Sequence, residues 1–257
     1  MVGNIRHIVV FESLPNGEKK TGEELYKDCI SRRIDLLQND SIKMSHKYYN
    51  VRNKGELIEL IKYYQVNAEF LNNGLLFHFE MHGDSDLKGL VLADGSLITW
   101  KELVELFRPI NVTTKDKLFI TMATCNGRYL YQGVNAYEKS PYSGYISASK
   151  EVLVNEILED FAILFEELID NGNIVAAYLE LEKKGSNFYY KDSERTFEEA
   201  FLSTIQKQRN DPQFKEEILQ DTEKATGKRP TEDEYKIILE KVINDLYTKQ
   251  KDAFNFN

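Results

Sequence analysis

The sequence predicts an α/β fold: a three-layer sandwich around a mostly parallel sheet, with a helical extension at the C-terminal end. Three observations carry this. Short β-branched or apolar runs alternate with amphipathic helical stretches over the first 180 or so residues, the pattern of strands joined by helical crossovers. One of these runs begins unbroken, as Leu75-Leu76-Phe77, which suits a strand covered on both faces. Beyond about Gly185 the composition turns charged, helical and poor in strand signals. The expected division is therefore residues 1–185 as one domain and residues 186–257 as the extension.

Taken in order, Ile8, Val9, Val10 and Phe11 make a first strand, closed by the turn cluster Leu14-Pro15-Asn16-Gly17. Leu25, Cys29, Ile30, Ile34 and Leu37 then recur at helical spacing, with Cys29 as a small core hydrophobe. Residues 42–51 read as a second strand. Residues 54–72 read as a helix with Leu57, Ile58, Ile61 and Tyr64 on one face, and residues 75–83 as a third strand. The runs 89–92 and 97–100 flank Ala93-Asp94-Gly95-Ser96, and Asp-Gly between alternating runs signals a hairpin. Residues 101–107 read as a short helix, 117–123 as a fourth strand, 143–149 as a fifth. A long helix follows over 152–170, stopped near Asn171-Gly172. The tyrosine-rich stretch 129–145 reads as part of a loop. In the extension, Thr231 and Glu234 form a capping box ahead of Tyr235, Ile238, Leu239, Val242 and Leu246.

The formal net charge of −9 argues against a nucleic-acid-binding protein, since phosphate contacts need dense Lys/Arg patches, and leaves room for a local basic cleft. The two cysteines, Cys29 and Cys125, lie far apart and form no CxxC unit. That argues against a disulfide framework or a cysteine-rich zinc site and for a reducing compartment. The N-terminal stretch is too interrupted for a signal peptide, and no apolar run reaches the roughly 18 to 20 residues a bilayer crossing needs. A cytoplasmic protein with no membrane association and no cofactor is the expectation.

Two strand ends carry chemistry. The third strand runs into Met81-His82-Gly83-Asp84, and the fourth into Ala123-Thr124-Cys125-Asn126-Gly127. In open α/β sheets ligands bind outside the carboxyl ends of the strands. Neighbouring parallel strands lie about 4.8 Å apart, so a His and a Cys there can act together. A thiol attacks well only as thiolate, which an adjacent imidazole can generate; the same ring can then protonate a leaving amine. The developing oxyanion needs fixed donors, and the amides of Gly83 and Cys125 are placed to supply them.

His-Gly at one strand end, then a hairpin, a short helix and Ala-x-Cys-x-Gly at the next strand end: this arrangement resembles the caspase-like cysteine peptidases of clan CD, and most of all their bacterial CHAT branch. The resemblance covers roughly residues 5–180. His82 precedes Cys125 by 43 residues, where caspases place the His about 50 residues before a Gln-Ala-Cys-x-Gly signature. Met122-Ala123-Thr124-Cys125-Asn126-Gly127 departs from that signature, so the chain is not expected to be a true caspase. The resemblance implies a caspase-like sandwich and metal-free peptide hydrolysis, with Cys125 as nucleophile and His82 as base. Gly83 and Cys125 would be the oxyanion donors, and Glu80 a candidate to orient His82. It further implies a protein or peptide substrate, activation by a regulatory protein partner and a place in antiviral or stress defence.

Two other readings compete. His78, Glu80 and His82 fall at i, i+2 and i+4 of a strand, share a face and could ligate a transition metal. A caspase-like fold can also serve as a catalytically silent scaffold. A phosphatase loop is excluded, because position 131, six after Cys125, is Tyr rather than Arg.

Overall fold

The β-branched run near the N-terminus forms strand β1 (His7–Ser13), the first strand of a computed structural model that describes residues 2–37 and 43–256. A turn leads into α1 (Thr21–Leu25), which continues through a π-helical turn (Tyr26–Ser31) into α2 (Arg32–Leu36). Leu25, Ile30 and Ile34 are buried along it, while Cys29 is only half-buried. Strand β2 (Ser45–Asn50) is shorter than the expected 42–51; Ile42 lies outside the described residues. Helix α3 (Lys54–Val66) is capped by the Asn53 side chain, and the chain then tightens into a 3-10 turn (Ala68–Leu71) instead of carrying the helix to residue 72.

Strand β3 (Leu75–Gly83) takes the bounds expected of it. The hairpin β4 (Gly89–Val91) and β5 (Leu97–Thr99) turns at Asp94-Gly95, where Gly95 adopts φ 82°. The expected short helix is instead the 15-residue α4 (Trp100–Thr114), running through Pro109. Its apolar stripe outlasts the proline: Leu103, Val104, Phe107 and Ile110 are buried, and Pro109 itself is exposed. The hydrogen bond the ring removes therefore lies on the solvent side, where water can replace it. Strands β6 (Leu118–Met122) and β7 (Gly144–Ala148) follow, then α5 (Val154–Asn171), ended by Gly172 at φ 69°, and α6 (Ile174–Lys183). Part of the expected tyrosine-rich loop is core: Tyr142 and Tyr145 are fully buried, and residues Gly127–Gly133 form a 3-10 helix.

A strand absent from the expectation, β8 (Phe188–Asp192), pairs antiparallel with β7. The sheet order is β2-β1-β3-β6-β7-β8, parallel except at β8, with the β4–β5 hairpin attached to the end of β3. Side chains alternate across it as strand geometry requires. Phe11, Phe77, Phe79, Ile120 and Met122 pack with α3 and α4 on one face. Val10, Leu76, Phe119 and Ile146 pack with Phe161, Leu164 and Phe165 of α5 and with α6 on the other. The sheet is thus covered by helices on both sides.

The chain separates into two compact units. The first comprises residues up to Val134 together with Ser140–Ser193; the second comprises Asn135–Lys139 and Glu194 onward. The division falls after Ser193 rather than after residue 185 because Phe188 belongs to the sheet and its core. The second unit holds most of α7 (Ser193–Arg209), with α8 (Pro212–Thr226) and α9 (Glu232–Phe254). Thr231 and Glu234 cap α9 reciprocally, as the sequence implies. Ile218, Leu219 and Tyr235 form a small cluster between α8 and α9, and Phe197, Phe201, Tyr247 and Phe254 pack ring against ring.

Candidate active site

Strands β3 and β6 are adjacent and parallel, and their register pairs His78 with Thr121 and Phe79 with Met122, a constant offset of 43 residues. The same offset separates His82 from Cys125 in sequence, and both lie beyond the last paired residues of this ladder. The Ala123 amide still donates to the Phe79 carbonyl at 2.9 Å, after which the strands part. The alternation along β3 puts His82 on the side of the sheet covered by α5, while Cys125 lies in the turn that follows β6.

Gly83 is the hinge of the arrangement. A Cβ there would sit 1.9 Å from the carbonyl oxygen of Cys125, so only glycine lets the two strand ends approach this closely. Its φ is not positive, which places the requirement in that approach rather than in a sharp turn. The β3–β4 ladder also determines where its amide points. The Asp84 amide donates to the Gly89 carbonyl at 3.0 Å, which makes Asp84 and His82 the hydrogen-bonded positions opposite β4. Gly83 lies between them, and its N–H faces away from β4, on the β6 side. Thr124 is buried and donates its hydroxyl to the Cys125 carbonyl at 3.0 Å. Asn126 adopts φ 61°, and this left-handed residue turns the chain from β6 into the Gly127–Gly133 helix.

His82 is half exposed, and its Nε2 lies 2.8 Å from Oε2 of Glu18, itself half exposed. Glu18 sits in the turn between β1 and α1. As a surface pair the contact adds at most about 1 kcal/mol to stability; its consequence is orientation of the ring. Glu80, the carboxylate expected to orient His82, is engaged elsewhere. It is buried, its Oε1 meets Nε2 of His78 at 3.0 Å, and its Oε2 accepts from the Thr21 hydroxyl at 2.7 Å. The other ring nitrogen of His78 meets the Thr121 hydroxyl at 2.8 Å.

Glu12, level with Glu80 on β1, extends this buried network. Its Oε1 accepts from the amides of Gly22 and Glu23 at 2.8 and 3.3 Å, and its Oε2 from the Tyr48 hydroxyl at 2.6 Å. Burial pushes the Glu12 carboxyl above its usual range, against the lowering effect of those donors. The pair of carboxylates thereby anchors the first turn of α1, and with it the end of the segment that carries Glu18. Gly22 permits the approach, since a Cβ there would lie 2.8 Å from Cγ of Glu80.

Among the described residues no group of three or more His, Cys, Asp and Glu side chains is disposed to hold a metal ion. His78 and Glu80 bond to each other and His82 to Glu18, so the three do not converge as a ligand set. Cys29 lies in the π-helical turn, and burial pushes its thiol up to about 11. Among the described residues no helix is long and apolar enough to cross a membrane. Sequence reasoning missed Glu18, whose pairing with His82 spans 64 residues; the one signal available was its place just after the first strand.

No family model matches the chain, and no curated protein matches it. Among solved structures, Raptor from Chaetomium thermophilum is similar at 12% identity and a TM-score of 0.36, over 77% of this chain and 20% of that one. The chain thus spans about a fifth of that protein's length.

Proposed function

We propose that the chain is a caspase-like cysteine endopeptidase that cuts a protein substrate through Cys125 and His82. The observation that supports this best is the close approach of Gly83, the residue after His82, to the Cys125 carbonyl at the neighbouring ends of the parallel strands β3 and β6. With Nε2–H donated to Glu18, Nδ1 is the nitrogen left to take the thiol proton. The Cys125 thiolate then adds to the substrate carbonyl carbon, and the oxyanion is met by the amides of Gly83 and Cys125. Collapse breaks the C–N bond, and the imidazolium gives its proton to the leaving amine. Water, deprotonated by His82, adds to the thioester; the thiolate leaves, and a carboxylic acid product departs.

The test is intact-protein mass spectrometry after treatment with peptidyl electrophiles ending in Arg, Lys, Asp or Asn, on wild type and Cys125→Ala. A single adduct on wild type, absent from the variant, is the expected result. Cys29 should stay unmodified near neutral pH, because its raised pKa leaves little thiolate. A Cys125 inert to every peptidyl electrophile would overturn the peptidase reading and favour a silent scaffold.

A further inference from the structure

We propose that the buried carboxylates Glu12 and Glu80 are positioning residues for His82, acting at one remove through α1 and Glu18; the assignment rests on His82 serving as the base of the peptidase reading. The two stand level on neighbouring strands, β1 and β3, and both are buried. A buried carboxylate is costly unless its oxygens are met. The sheet meets one oxygen of each: Tyr48 donates to Oε2 of Glu12, and His78 bonds Oε1 of Glu80. Oε1 of Glu12 depends on the Gly22 and Glu23 amides, and Oε2 of Glu80 on the Thr21 hydroxyl. Any shift of α1 would strand both acceptors at once. Apolar side chains could dock this helix as firmly. They would not fix its position along the sheet, as directional bonds to three successive residues do.

The fixed helix start carries Glu18 with it. Thr21 follows Glu18 by three residues, and the turn around them is braced on itself. The Lys20 ammonium donates to the carbonyls of Leu14 and Pro15, the Glu18 amide to the Pro15 carbonyl at 3.3 Å, and the Thr21 amide to the Lys19 carbonyl at 3.1 Å. At the other end the Ser13 hydroxyl accepts from the Ala93 amide at 2.9 Å. Turn and helix therefore move as one body. Glu18 and His82 are both about half exposed, and a pair of that kind holds a ring steady only where the backbones behind it are already fixed. The network under α1 fixes the backbone behind Glu18, as β3 fixes that behind His82.

The experiment reads the His82 ring by nitrogen NMR, its signals assigned with His82→Asn, and the labelling rate of Cys125 by a peptidyl electrophile that modifies wild type. Thr21→Val removes the hydroxyl that meets Glu80, and Thr21→Ser restores one. Thr121→Val removes the hydroxyl on the other ring nitrogen of His78 and leaves α1 untouched, so it controls for a merely structural loss. Thr21→Val should slow labelling about tenfold and move the His82 ring from the tautomer protonated on Nε2 toward the mixture shown by Glu18→Ala. Thr21→Ser and Thr121→Val should stay within about twofold of wild type and keep its ring signals. In the Glu18→Ala background Thr21→Val should have no further effect. An unchanged ring in Thr21→Val, an equal change in Thr121→Val, or additive losses in the double variant would overturn the proposal. If Thr21→Val does not fold, Glu80→Gln weakens the same bond in a side chain of the same shape and must shift the ring in the same direction, or the proposal falls. If no electrophile labels wild type, the peptidase reading fails, and the ring signals alone decide whether α1 sets the orientation of His82.

Discussion

Gly83 shows how one missing side chain sets a site's geometry. Its alanine variant must push away the Cys125 carbonyl, because the added carbon would lie 1.9 Å from that oxygen. Gly83→Ala should lower stability by about 1–3 kcal/mol in urea unfolding and suppress alkylation of Cys125; unchanged values in both would mean that the strand ends do not meet this way. Glu12 gives a prediction with a defined sign. Its carboxyl is raised in the fold, so the folded state holds its proton more tightly than the unfolded chain does. The stability linked to this group is full below the ordinary carboxyl value of 4.5 and is lost as pH rises through the raised one. Urea midpoints of wild type minus those of Glu12→Gln should therefore fall with rising pH across that window. A rise would show that Tyr48 and the α1 amides outweigh burial.

Helix α4 takes its length from packing. Thr99 and Glu102 cap it reciprocally, and the Lys54 ammonium beside Glu102 helps hold that carboxyl down at about 2. Thr99→Ala should cost about 1 kcal/mol, read as a shift in denaturation midpoint. Strand β8 rests on Phe188, which is buried against Phe161 with ring centroids 4.8 Å apart; Phe188→Ala should cost about 3–5 kcal/mol through the cavity it leaves. These two elements also mark where the sequence was hard to read. β1, β3, β6 and β7 are apolar enough to declare themselves, and His82 and Cys125 stand out at strand ends because glycine follows each closely. Only Phe188 of β8 is buried, and Tyr-Tyr-Lys-Asp after it resembles a helical surface as much as an edge strand. α4 runs past the expected end at Phe107 and through Pro109, because tertiary packing tolerates a proline on an exposed helix face. The pairing of Glu80 with His78 and Thr21 rather than with His82 depends on α1 folding back against the sheet, which spacing along β3 does not reveal.

Across the whole chain, stability is expected to be uneven. The first unit has aromatic-rich cores on both faces of its sheet, whereas α8 buries only Ile218 and Leu219. Backbone amides of α8 should exchange with deuterium far sooner than those of β3 and β6, measured site by site; equal protection would mean that the helices share one cooperative core with the sheet. A last consequence follows from the constant offset of 43 between β3 and β6. The ladder, not the length of the intervening chain, sets how β3 and β6 align, so the connection is free to grow at a point remote from the pairing. The hairpin tip is such a point, since nothing lies within 4 Å of where a Gly95 side chain would begin. A peptide tag or fluorophore site spliced between Asp94 and Gly95 would change the numbering of the nucleophile without changing its neighbours, which makes that turn a natural port for a reporter.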